Sequence, residues 1–109
     1  METVSVDSVR EHAKRVGSHW FDADTMRFFR SRVSSYGWRS ADGTRVYFVS
    51  SERREGCARR YSVRVADMTS EDRGCVDTLG TFQQFASRSG AERAAERACA
   101  EYDAAERVS

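Results

Sequence analysis

Proline is absent from this chain, lysine occurs once, at Lys14, and there are two histidines, His12 and His19. No stretch of about 18 apolar residues exists, which removes the membrane-spanning helix from consideration. The opening Met1-Glu2-Thr3-Val4-Ser5 is acidic and polar where a secretory leader would be basic and then apolar. A cytoplasmic protein with no membrane partner is therefore expected. Cys57, Cys75 and Cys99 are odd in number and widely spaced, with no Cys-x-x-Cys pair. That spacing excludes a disulfide framework and the paired ligands of a structural zinc site, and predicts free thiols serving as small hydrophobes. Both histidines lie near the start of the chain and no Gly-x-Ser-x-Gly elbow or glycine-rich phosphate loop occurs, so neither a serine triad nor a nucleotide-binding loop has a foothold. No enzyme activity and no cofactor are expected.

What is present suits one small domain. The 109 residues are 39% hydrophobic and 11% aromatic, enough to offset chain entropy in a single core. No repeat and no long linker marks a boundary, so one domain spanning 1–109 is expected, with 1–19 as a loosely attached N-terminal helix. Seventeen of the eighteen basic residues are arginine, although the net charge is +1. Arginine suits phosphate, carboxylate and aromatic partners, but coding from GC-rich DNA produces the same skew.

Local patterns place the elements. Ser8-x-x-Glu11 has the form of a capping box, and Val6, Val9, Ala13 and Val16 recur at helical spacing up to Gly17. Around Asp22 and Asp24 a short turn, capped by an aspartate, carries Trp20, Phe21, Met26 and Phe29 as core anchors. From Arg30 to Trp38 the pattern becomes strand-like, and Asp42-Gly43 marks a hairpin turn into Arg45–Ser50. The charged stretch 52–58 contains Gly56 and reads as a loop. In the next strand Tyr61, Val63 and Val65 alternate with Arg60, Ser62 and Arg64, which predicts one buried face and one wet face. Residues 75–82 supply a further strand. Ser89-x-x-Glu92 then opens a helix of about four turns with a stripe of Ala91, Ala94, Ala95, Ala98, Tyr102 and Ala105. The sum is an α+β fold: a short N-terminal helix, an antiparallel sheet of three to four strands, and an alanine-rich C-terminal helix on one sheet face.

Two apparent motifs dissolve on inspection. Asp22-Ala23-Asp24-Thr25 matches the Asp-x-Asp-x-Thr element of haloacid-dehalogenase-type phosphatases, but no buried strand precedes it and Lys14 is the lone lysine, so helix capping is the better reading. An EF-hand loop would need glycine where Arg27 stands. The arginines are more informative. Arg60 and Arg64 share a strand face, Arg45, Arg53, Arg54 and Arg59 lie on the adjacent strand or loop, and Tyr47 is near them. Such a surface could track phosphates and stack a base, unless Glu52, Glu55, Asp67, Glu71 and Asp72 neutralise it. The order of hairpin and then helix is also similar to integrase arm-type domains and double-stranded RNA-binding domains, though the basic helix start those RNA binders use is reduced to Arg88.

Trp20-Phe21-Asp22, Thr25-Met26-Arg27-Phe28-Phe29, Tyr47-Phe48-Val49-Ser50-Ser51-Glu52, Arg59-Arg60-Tyr61-Ser62-Val63-Arg64 and Leu79-Gly80-Thr81-Phe82-Gln83, taken in order, resemble a family of small uncharacterised proteins. Its members come from phages and mobile elements of actinobacteria and their relatives, and the likeness runs from about Trp20 to Ala98. The resemblance implies a phage setting and assigns no functional residue. Within it, the expected role is a non-enzymatic accessory protein that binds a host macromolecule, a protein or a protein–nucleic-acid complex, and so inhibits a host defence system in the anti-CRISPR manner. The alternative is a small nucleic-acid-binding module using the arginine face. The candidate contact residues are Trp38, Arg45, Tyr47, Arg53, Arg54, Arg59, Arg60 and Arg64, with Trp38 or Tyr47 as an exposed aromatic anchor.

Overall fold

The computed structural model describes residues 1–108, which run β1 (Glu2–Ser5), α1 (Asp7–Arg15), α2 (Ala23–Phe28), β2 (Arg32–Val33), β3 (Tyr36–Arg39), β4 (Arg45–Glu52), β5 (Arg60–Asp67), β6 (Val76–Leu79) and α3 (Arg88–Arg107). The fold is α+β. One antiparallel sheet carries the order β1-β3-β4-β5-β6, and β2 pairs with β4 beyond the end of β3. The sheet thus has six strands where the sequence suggested three or four. The additions are β1, whose Glu-Thr-Val-Ser run has no hydrophobic period to betray it, and the division of 30–38 into β2 and β3. Among the described residues no helix is long and apolar enough to cross a membrane.

Local chemistry explains the strongest elements. Gly43 adopts φ +75° in the β3–β4 turn, and Asp42 gathers that turn by accepting bonds from Ser40, Thr44 and, at 2.7 Å, the Tyr102 hydroxyl of α3. These bonds hold the Asp42 carboxyl well below the usual carboxylate range. Helix α3 is capped two residues earlier than expected: Ser87, in extended conformation, is its N-cap and accepts from the Gly90 amide at 3.1 Å, while Glu92 pairs with Arg88. At the start of α1 it is likewise Ser5, not Ser8, whose hydroxyl takes an amide, that of Asp7. Gly17 (φ +79°) closes α1, with the Ser18 amide reaching Ala13 O at 2.8 Å and its own amide reaching Lys14 O at 3.2 Å.

With no isoleucine and one leucine in the chain, the core is built from valine, alanine and aromatic rings. On one face of the sheet Trp38, Tyr47, Val49 and Val63 pack against Ala91, Ala95 and Cys99 of α3. The small side chains let the helix lie close, and Asp103 ties its far end to the Ala41 amide at 2.9 Å. On the other face Val46, Phe48 and Ala66 meet Val6 and Val9, with Trp20, Phe21, Val33 and Val76 around them. Gly37 is required between the two layers, because a Cβ there would lie 2.4 Å from Tyr47 O and 3.0 Å from the Phe48 Cβ.

The N-terminal segment is not loosely attached. Val9 and Ala13 are fully buried, and β1 pairs with β3 along four residues, so a thin apolar stripe suffices once the strand before it is locked into the sheet. Cys75 and Cys99 are buried and free, as expected of small hydrophobes, and Cys57 is exposed.

Candidate binding groove

The second face of the sheet changes character along its length. Near α1 it is apolar; toward the β4–β5 turn it carries Ser50, Glu52, Ser62 and Arg64, all buried. Arg64 is 8% exposed, so this end of β5 is not the wet surface that strand alternation suggested. Residues distant in the chain cover it: the rings of Trp20, upstream, and Phe82, downstream, each have their centroid 5.3 Å from the guanidinium carbon. The guanidinium donates to Ser50 Oγ at 2.9 Å, to Thr78 Oγ1, and to Glu52 Oε1 at 3.5 Å. Burial pulls the Arg64 group below its ordinary value, and Glu52 opposes that shift. Glu52 Oε2 has no hydrogen-bond partner among the described residues.

Above this pair the surface opens. A cavity of about 370 Å³ is walled by Trp20, Met26, Phe29 and Phe82 over Glu52 and Arg64. A neighbouring cavity of about 350 Å³ shares Phe29, Glu52 and Phe82 and extends to Phe28, Arg30, Arg53 and Arg54. Together they form a groove. Phe28 is 81% exposed, and Phe29 and Phe82 are each 46% exposed. Phe29 is thus no core anchor: α2 has six residues and buries none of them, and adjacent positions on one helical turn point about 100° apart. The two rings instead stack edge to face on each other, 4.9 Å between centroids.

The backbone around the groove is strained and clamped. Arg30 (φ 48°) and Gln83 (φ 59°) are the two non-glycine residues with positive φ among those described, and both line it. Arg59 donates to Arg30 O at 2.9 Å, and Arg60 donates to Gln83 O and Gln84 O, each at 2.9 Å. The Gln83 amide is further fixed by Ser62 Oγ at 2.7 Å, and its side chain reaches Glu52 O at 3.3 Å. Strained residues persist only where their surroundings hold them, and they concentrate at functional sites.

The expected contact residues therefore part company. Trp38 and Tyr47 are buried against α3, because their strand positions face the alanine stripe, and neither is an exposed anchor. Arg45 lies at the other end of β4, roughly 23 Å from Glu52 at about 3.3 Å per residue, with its guanidinium 4.3 Å over the Tyr102 ring. Arg64 is buried beneath the groove, and Arg59 through Nη1 and Arg60 through Nε and Nη2 are anchored on backbone carbonyls. Arg53 and Arg54 alone of the group stand at the groove's rim as exposed cations. No common arginine face exists. The residues that sequence reasoning passed over are Phe28 and Phe82, and the available signal was the adjacent Phe28-Phe29 pair on an element too short to bury both.

A family model described as a family of unknown function (DUF7447) matches residues 5–96, and the chain belongs to that family. No curated protein and no solved structure matches it.

Proposed function

From a family that carries no assigned activity, we propose that this chain is a non-enzymatic binding module whose recognition surface is the phenylalanine groove with its arginine rim. The observation that carries the reading is the exposure of Phe28, Phe29 and Phe82 around one groove, in a chain that otherwise closes its aromatic side chains into two cores. Interfaces draw their affinity from a few aromatic and arginine anchors set in pockets, and the backbone clamps of Arg59 and Arg60 keep this groove formed before any partner arrives. The occupant is a protein surface that places an apolar side chain into the groove and acidic residues against Arg53 and Arg54. In the phage setting that the sequence resemblance implies, the partner is a host protein, and covering its working surface is the mode of action, with host defence systems as the target class. Cytoplasmic action in the host cell belongs to the same proposal.

The rival is a single-stranded nucleic acid stacked on the phenylalanines, with arginines on its phosphates. A tagged pull-down from nuclease-treated host lysate separates the two, run with wild type and with Phe28→Ala/Phe29→Ala. One protein retained at fixed stoichiometry by wild type and lost by the variant is the expected result. Exposed substitutions of this kind alter stability by no more than about 0.5 kcal/mol, so melting should be unchanged. Recovery that disappears with nuclease would transfer the groove to nucleic acid.

A further inference from the structure

A third cavity, of about 320 Å³, lies on the α3 side of the sheet where β2 breaks off before β3. Its walls include Arg32, Arg59, Arg88, Ser34, Ser35 and Tyr61, and no aspartate or glutamate lines it. The break makes the cavity. The Ser34 amide still bonds Val49 O at 3.0 Å, but Ser35 turns its carbonyl away to the Val6 amide at 3.0 Å, leaving a notch between the sheet edge and the first turn of α3.

Donors converge there with no carboxylate in the lining. Arg59 commits its Nη1 to Arg30 O, Ser51 O and Ser51 Oγ, which fixes the guanidinium, and its Nε and Nη2 are left over. Among the described residues the Arg32 side chain makes no hydrogen bond or ion pair, and the Ser34 and Ser35 hydroxyls have no partner. Burial, together with the nearby charge of Arg32, pulls the Arg59 group below its ordinary value. Arg88 is the one cation here already matched, by Glu92 at 2.7 Å. An oxyanion fits this arrangement, since guanidinium N–H groups and hydroxyls together complement a phosphate's several acceptor oxygens.

We infer that this notch is a phosphoryl-binding site for a small phosphorylated ligand of about mononucleotide size, held by Arg32, Arg59 and the Ser34 and Ser35 hydroxyls with Tyr61 as an aromatic wall. Its volume is at the lower end of small-molecule pockets, which run from about 300 Å³ upward. The site is separate from the phenylalanine groove and does not depend on that groove's role.

The test is a titration of the full chain, followed by amide NMR shifts, with inorganic phosphate, adenosine 5′-monophosphate and a thymidine oligonucleotide bearing no terminal phosphate, all at matched ionic strength. Saturable shifts centred on 32–35 and 59–61 with phosphate, tighter with the mononucleotide, are expected. Arg32→Gln and Ser34→Ala remove groups with no partner inside the protein, so both should fold normally and weaken binding about tenfold each. Arg59 also clamps Arg30 and is left intact. Shifts no larger with phosphate than with chloride, unchanged affinity in both variants, or a response to the oligonucleotide alone would overturn the assignment.

Discussion

The two faces of this sheet are covered by different means. Under α3 the contact is continuous and apolar, with aromatic rings from β3 and β4 set against alanines and Cys99. Under the N-terminal segment the cover is apolar only near α1; farther along, the Trp20 and Phe82 rings lie against Arg64 of a buried Glu52–Arg64 pair and the roof stays open. The first face is the fold's foundation. The second divides its length between core and groove, and its buried charges gain little for stability beyond what a hydrophobic pair would supply.

That contrast can be broken most severely on the α3 face. Trp38→Ala empties the centre of the apolar layer and should cost about 3–5 kcal/mol by urea unfolding, enough to threaten folding itself. On the groove face the effect is smaller and depends on what is removed. Arg64→Ala leaves the buried Glu52 carboxylate without its cation and should cost about 3 kcal/mol, whereas Arg64→Met combined with Glu52→Gln should come within about 1 kcal/mol of wild type. A double variant as unstable as the single one would mean the ion pair itself holds this face together.

The smallest effect is confined to alkaline pH. Burial, with Asp103 nearby, pushes the Cys99 thiol up to about 11 from an ordinary 9.0. The unfolded chain therefore releases this proton first, so the contribution is intact below pH 9 and is lost as pH rises toward 11. Urea melts at pH 8.5 and 10.5 should show a stability loss in wild type that is reduced in Cys99→Ala. Equal losses in both would place the alkaline sensitivity elsewhere.

How much of this was legible follows the range of the signals. The Asp42-Gly43 hairpin, the alternation of β5 and the alanine stripe of α3 are written in neighbouring residues, and the structure repeats them. Coverage is not local. Alternation says that Ser62 and Arg64 share a face, but whether that face is wet depends on Trp20 and Phe82, some forty residues upstream and twenty downstream. The same limit hid the burial of two expected anchors: Trp38 and Tyr47 are aromatic, and their strand registers turn them toward α3. Phe28 stays outside because α2 ends before it can bury a side. Arginines counted as a face became two backbone clamps, one buried ion and one stacked cation, because each meets a different neighbour.

The claim that the phenylalanine groove is the recognition surface is tested most directly by site-specific photocrosslinking. A photoreactive phenylalanine analogue at position 28, with the same analogue at position 45 as control, would be irradiated in nuclease-treated host lysate. A single discrete protein adduct at 28 and none at 45 is the predicted result. No adduct at 28, or the same adducts at both positions, would contradict it.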